Sequence, residues 1–83
     1  MKKGRGNSMR KNSLIVDIYY YIRPNGKYAW RLKQLPGAEG EAENGRLVFT
    51  GVREYLDNIS VGECDYTIGE VHRAEQAEFN ALW

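Results

Sequence analysis

Cysteine is almost missing from this chain: Cys64 is the single one among 83 residues, so no disulfide can form within it. Small secreted domains usually depend on such staples, and doing without one predicts a reducing, cytoplasmic setting in which Cys64 acts as an apolar space-filler. Histidine is equally scarce, with His72 alone. One Cys and one His cannot complete a structural zinc site, and nothing near Cys64 would lower its thiol pKa. Glu70 and Arg73 beside His72 favour a structural or surface role for the ring over proton transfer. No apolar run approaches the roughly twenty residues of a membrane span, and Asp17 interrupts the one that follows the basic start. A phosphate-binding glycine loop is also wanting, because Gly4-Arg5-Gly6 has no strand before it. The sequence therefore predicts a protein that is not an enzyme, holds no metal or cofactor and does not enter a membrane.

Acid is nearly absent from the first 34 residues, where nine Lys/Arg stand against Asp17 alone, a charge of +8. The remaining 49 residues carry three Arg against ten acids, a charge of −7. The net +1 conceals a polar molecule, suited to meeting a polyanion or an acidic protein with its basic part.

What is present in quantity is alternation. Leu14, Val16, Ile18, Tyr20 and Ile22 alternate with Ile15, Asp17, Tyr19, Tyr21 and Arg23, a period of two that predicts a strand buried on one side. After Pro24-Asn25-Gly26 the return strand alternates Tyr28, Trp30, Leu32 with Ala29, Arg31, Lys33. A two-residue turn would bring the aliphatic row beside Arg31 and Lys33 and bury charge. A three-residue loop, with Pro24 and Asn25 at the centre of a type I turn and Gly26 in the left-handed bulge position, sets Ile22 opposite Tyr28, Tyr20 opposite Trp30 and Ile18 opposite Leu32. The second register makes one side wholly apolar, and it is the expected one, since a slip of one residue exchanges core and solvent faces.

This hairpin also lines up Asp17 with Lys33, Tyr19 with Arg31, Tyr21 with Ala29 and Arg23 with Lys27. The strip is either an ordinary solvated face or a binding surface.

Elsewhere, residues 1–12 are cationic and nearly devoid of apolar side chains, a composition expected to be disordered when free and suited to phosphate contacts through Arg10 and Lys11. Residues 13–83 are expected to form one domain. Residues 36–45, PGAEGEAENG, read as a mobile acidic loop, with Glu39, Glu41 and Glu43 solvated and lacking the spacing of a calcium loop. Arg46 to Thr50 reads as a short strand with Leu47 and Phe49 on one side. Thr50 would then cap a helix whose Val52, Tyr55, Leu56 and Ile59 form an apolar stripe. Glu63 to about His72 reads as a strand, although Thr67 and Glu70 have the spacing of a capping box. A helix near Ala74 to Leu82 would carry Phe79, Leu82 and Trp83 inward. The expected fold is α+β: a small antiparallel sheet of three to four strands with two helices on one face, in the order ββ(β)αβα.

Two functions from different classes suit such a domain. In the first it binds nucleic acid through Tyr19, Tyr21, Arg23, Lys27, Arg31 and Lys33 together with Arg10 and Lys11, the cations meeting phosphates and the phenols stacking on bases. In the second it is a small regulator or inhibitor that binds another protein, through the same strip or through its acidic half. A homodimer formed through the strip or a strand edge would make these residues structural instead.

Overall fold

The structure is a computed structural model, in which residues 12–60 and 64–83 are described. The basic arm with Arg10 and Lys11 and the side chain of Cys64 lie outside the described residues, and so do the expectations placed on them.

Six elements follow one another: β1 (Asn12–Ile22), β2 (Tyr28–Leu32), β3 (Glu39–Ala42), α1 (Gly45–Ile59), β4 (Cys64–Arg73) and α2 (Gln76–Asn80). The strands make one sheet in the order β3-β2-β1-β4. The hairpin of β1 and β2 has the expected register, with Ile22 opposite Tyr28, Tyr20 opposite Trp30 and Ile18 opposite Leu32. Gly26 sits at φ +89°, its N–H donating to the Arg23 carbonyl at 2.8 Å, and the Arg23 N–H donates to the Lys27 carbonyl at 2.8 Å. A left-handed glycine after a Pro-Asn turn is the bulge that this register requires.

The third strand is not where the sequence predicted it. Residues 46–50 are the first turns of α1, and β3 lies inside the supposed acidic loop. Ala38, Gly40 and Ala42 alternate there with Glu39, Glu41 and Glu43, so the period of two is complete, but its inward side chains are small. Smallness is what the site needs: a β-carbon at Gly40 would come within 2.5 Å of the Trp30 indole, which lies across the strand. The helix begins at Asn44 and not at Thr50, because the Asn44 carboxamide accepts the Leu47 N–H at 3.0 Å and satisfies an orphan donor of the first turn. Starting there extends the apolar stripe back to Val48, which is buried with Val52 and Leu56.

β4 runs parallel to β1, so the sheet is mixed and not wholly antiparallel. The cause is topological. β3 is antiparallel to β2, and a single helix returns the chain to the end of the sheet at which β3 began, so the next strand runs the same way. A bulge interrupts the ladder, with Val16 opposite Ile68 and Ile18 opposite Val71.

The core is one layer between the sheet and α1: Val16, Ile18, Trp30 and Leu32 below, Val48, Val52 and Leu56 above, and Ala38 at the side. The second helix is not on that face, contrary to expectation. Phe79 of α2 packs with Ala29 and Ala74 against Tyr19 and Tyr21 on the opposite face of the sheet. Its ring fits there because Ala29 leaves a gap between the larger side chains of β1 and β2.

Candidate functional site

The strip of phenols and cations does exist on the face away from α1, where β1 and β2 place Tyr19 opposite Arg31 and Tyr21 opposite Ala29. Every phenol and every cation of the strip except Lys33 has acquired a side-chain neighbour. Tyr19 lies 4.8 Å from the His72 ring, centroid to centroid, and Tyr21 lies 5.9 Å from Phe79. The Arg31 guanidinium sits between the Phe79 and Trp83 rings at 4.7 and 4.5 Å, donates to the Phe79 carbonyl at 2.9 Å and reaches Glu39 at 3.0 Å. Only 19 % of its side chain stays exposed, so Arg31 is a clamp for the C-terminal segment. Trp83 completes the closure by donating its indole N–H to the Leu32 carbonyl at 3.0 Å.

Two more of the cations meet the acids of β3 and the turn after it. Arg23 pairs with Glu41 at 2.7 Å and Lys27 with Glu43 at 3.4 Å. Register explains the match, since Ala29 faces Glu41 and Arg31 faces Glu39, which brings the glutamates to the same side as the strip. Lys33 is exposed, and its backbone N–H donates to the Asp17 carbonyl at 3.0 Å.

Asp17, the one acid of the basic half, ties three elements together. One carboxylate oxygen accepts the Glu70 N–H at 2.9 Å and the other accepts the Gln34 amide at 2.9 Å, while the Asp17 N–H donates to Gln34 Oε1 at 2.8 Å. These donors, with the Glu70 N–H foremost and Gln34 next, hold the carboxyl below its usual range, helped by His72 and Lys33 and opposed by partial burial. His72 itself points its Nε2 at Glu70 Oε1, 2.9 Å away.

The opposite face holds what the sequence did not reveal. α1 buries Val16 and Ile18 of β1 together with Trp30 and Leu32, while Val71 of β4 stays half exposed beside it. There Ile18, Tyr20, Gly45, Val48, Phe49 and Val71 line a depression of about 200 Å³. Phe49 is 52 % exposed and Val71 50 %, large apolar side chains side by side at the surface. The second half of the chain has three cations, Arg46, Arg53 and Arg73, and none of them lines this depression. Arg46 and Arg53 stand at i−3 and i+4 from Phe49, on the same flank of α1. Arg73 is the strand neighbour of Tyr20. Arg53 reaches Asp57 loosely at 3.9 Å, and among the described residues neither Arg46 nor Arg73 forms an ion pair. The acid Glu54 lies on the other flank of the helix, beside Leu47 and Glu43.

Among the described residues no group of three or more His, Cys, Asp or Glu side chains is placed to hold a metal ion, and no helix is long and apolar enough to cross a membrane. Comparison with protein-family models, with curated proteins and with solved structures finds no match for this chain.

Proposed function

We propose that this protein is a non-enzymatic binding module that engages another protein through the trough between α1 and β4. The observation that carries this reading is the contrast in occupancy. Arg23, Lys27 and Arg31 already have carboxylate partners and Tyr19 and Tyr21 already have rings against them. Phe49 and Val71, in contrast, lie half exposed beside an apolar depression. Monomeric domains rarely leave contiguous apolar surface bare unless it is used. The test is site-specific photo-crosslinking in cells, with the reactive residue at position 49, at 71, or at exposed Ile15 on the opposite face as a control. One protein captured from both 49 and 71 and not from 15 supports the reading; equal capture from all three positions, or none from 49 and 71, ends it.

Nucleic-acid binding by the strip is the second reading. It is favoured by the surface position of Arg23 and Lys27, whose side chains keep 45 % and 44 % of their exposure. Surface pairs of this kind contribute about 0–1 kcal/mol, so phosphates can exchange with Glu41 and Glu43 at little cost. Arg10, Lys11 and Lys33 would add to the same field. Fluorescence anisotropy against single- and double-stranded oligonucleotides at two salt concentrations tests it: affinity that falls steeply with salt and is lost on Arg23→Ala with Lys27→Ala, whose side chains are exposed, supports it, and no binding at low salt ends it.

A further inference from the structure

The two edges of the sheet are finished differently. β3 closes one edge with four residues, two of them glutamates, and α1 packs against it. Shortness and charge are ordinary means by which an edge avoids pairing with another chain. β4 closes the other edge with ten residues that include neither lysine nor proline, and among the described residues no strand lies outside it. The direction of its backbone groups follows from β1. The Lys33 N–H donates to the Asp17 carbonyl, and the Ala74 N–H donates to the Tyr20 carbonyl at 2.7 Å, so odd-numbered residues of β1 turn their backbone groups to β2 and even-numbered ones to β4. In a parallel ladder the residue opposite an inward-turned one turns its own groups away. Ile68, Val71 and Arg73, opposite Val16, Ile18 and Tyr20, therefore present their N–H and C=O groups to the outside. The step of three between Ile68 and Val71 is the bulge, where Gly69 and Glu70 together oppose Asp17.

We propose that β4 pairs edge to edge with β4 of a second copy, antiparallel, about a two-fold axis that stands normal to the sheet and passes between Gly69 and Glu70. This interface is separate from the depression beside Phe49 and does not depend on the depression being used. One register fits. About that axis Ile68 meets Val71 of the second copy, Tyr66 meets its Arg73, and Thr67 meets its His72 between them; each pair recurs by symmetry. The outward groups of Ile68 and Val71 thereby face one another, as a hydrogen-bonded antiparallel pair requires. The side chains agree as well. Ile68 and Val71 lie on the α1 side, the first partly buried and the second 50 % exposed, so their pairing removes apolar surface from water. Glu70, whose carboxylate is 2.9 Å from His72 Nε2, comes opposite Gly69, which has no side chain to meet it. From Asp65 to Ala74 no like charges come face to face. A slip of one residue sets outward groups against inward ones, and a slip of two sets each bulge against regular strand and parts Ile68 from Val71. Two other occupants fit less well. The first eleven residues of the chain hold five Lys/Arg, two Gly and no β-branched residue, a poor composition for a strand. A regular strand of another protein would have to accept two residues against one at Gly69 and Glu70, where a second copy sets bulge against bulge. Pairing by this axis joins two four-stranded sheets into one, with both α1 helices on the same face.

The test uses the full chain. Light scattering over a range of concentrations should show a monomer–dimer equilibrium. The amides of Ile68, Val71 and Arg73 should gain protection from hydrogen exchange as the dimer fills, while those of β3 do not change. Val71→Lys places on the seam the kind of charge that guards natural edges, and should weaken the dimer about tenfold or more. Val71→Pro removes an outward N–H that β1 does not use and should do the same, with circular dichroism to check that each variant keeps the fold. The register is read independently with cysteines in a Cys64→Ser background. Thr67 and His72 of the second copy form a non-hydrogen-bonded pair, with Cα atoms about 4.5 Å apart and within disulfide reach. A mixture of Thr67→Cys and His72→Cys chains should therefore crosslink on oxidation into a dimer holding one of each. Neither chain alone should do so, like positions being too far apart along the seam. A chain that is monomeric at about 1 mM, a dimer that Val71→Lys leaves intact, protection gained at β3 or on the tyrosine face instead of β4, or crosslinks that form as readily between two Thr67→Cys chains would each overturn the proposal. A monomer whose β4 amides gain protection only when cell extract is added would give the edge to another protein's strand and overturn it as well.

Discussion

One face of the sheet is held by a 15-residue helix that presses Val48, Val52 and Leu56 onto Val16, Ile18, Trp30 and Leu32; the other is held by a five-residue helix that buries a single ring, Phe79. The first cover is a continuous apolar layer, and its strength comes from area removed from water. The second is assembled from small parts: a ring seated over Ala29, a guanidinium between two rings, an indole N–H on a strand carbonyl. Buried area decides between them: the α1 side encloses eight core residues and the α2 side three, so the α1 side should carry most of the stability. The α2 side should be the part that opens first.

Trp30→Ala is expected to have the largest effect. The indole is 4 % exposed, fills the space over Gly40 and meets Tyr55 edge-on at 5.8 Å. Its removal should cost about 3–5 kcal/mol, measured by chemical denaturation, enough to unfold much of a domain this small. Phe79→Ala is the matched change on the other face. There the expected cost is about 3 kcal/mol or less, because the surrounding shell is thin and can collapse onto Ala29. Hydrogen exchange separates the two cases: Phe79→Ala should lower protection at Ala81 and Leu82 while β1 and β2 amides keep theirs. Equal loss of protection across the β1–β2 ladder would show that the two faces fold as one cooperative unit and that the contrast drawn here is wrong.

How much of this was legible beforehand depends on side-chain size. β1 and β2 declare themselves because large apolar residues alternate over nine positions and Pro24-Asn25-Gly26 permits one register. β3 carries the same alternation in Ala38, Gly40 and Ala42, but small residues give almost no hydrophobic signal, and three glutamates between them resemble a solvated loop. Only the Trp30 ring overhead shows why that strand must be small. At the start of α1, Leu47 and Phe49 alternate as a strand would. In the helix they diverge to opposite flanks at 43 % and 52 % exposure, and Asn44 is what decides for the helix. The strip was legible residue by residue, but its cover was not. Nothing in a five-residue helix with one phenylalanine says which face of a sheet it chooses. The depression beside Phe49 was invisible for the same reason, since it depends on which edge of α1 meets β1 and β4.

Gly69 gives a smaller effect at the junction of the faces. A β-carbon there would stand 2.6 Å from Asp17 Oδ1 and 2.8 Å from Ile15 Cγ2. Gly69→Ala must therefore push the Asp17 carboxylate off the Glu70 N–H. Losing that charge-assisted hydrogen bond, partly offset by the lower entropy of the unfolded chain, should cost about 1 kcal/mol. The β4 amides around the bulge should exchange faster while the hairpin stays as it was. Unchanged exchange at Glu70 would mean that the carboxylate does not hold the bulge.

The least of the four effects is a dependence on pH. Asp17 titrates below its ordinary value because the folded state supplies the Glu70 N–H and the Gln34 amide to the charged form. A carboxyl lowered by folding contributes stability that is complete above its unfolded pKa, near 4, and is lost as pH falls through the lower folded value. Stability of the native protein relative to Asp17→Asn should therefore be constant at pH 6 and shrink steadily below about pH 4. An asparagine keeps one oxygen for the Glu70 N–H but turns its amide nitrogen toward the Gln34 amide nitrogen, so the variant loses that bond equally at every pH, and it is the slope with pH that isolates the charge. Parallel acid-unfolding curves for the two proteins would show that the carboxylate gains nothing on folding, and that β4 is held to the hairpin by its ladder and apolar packing alone.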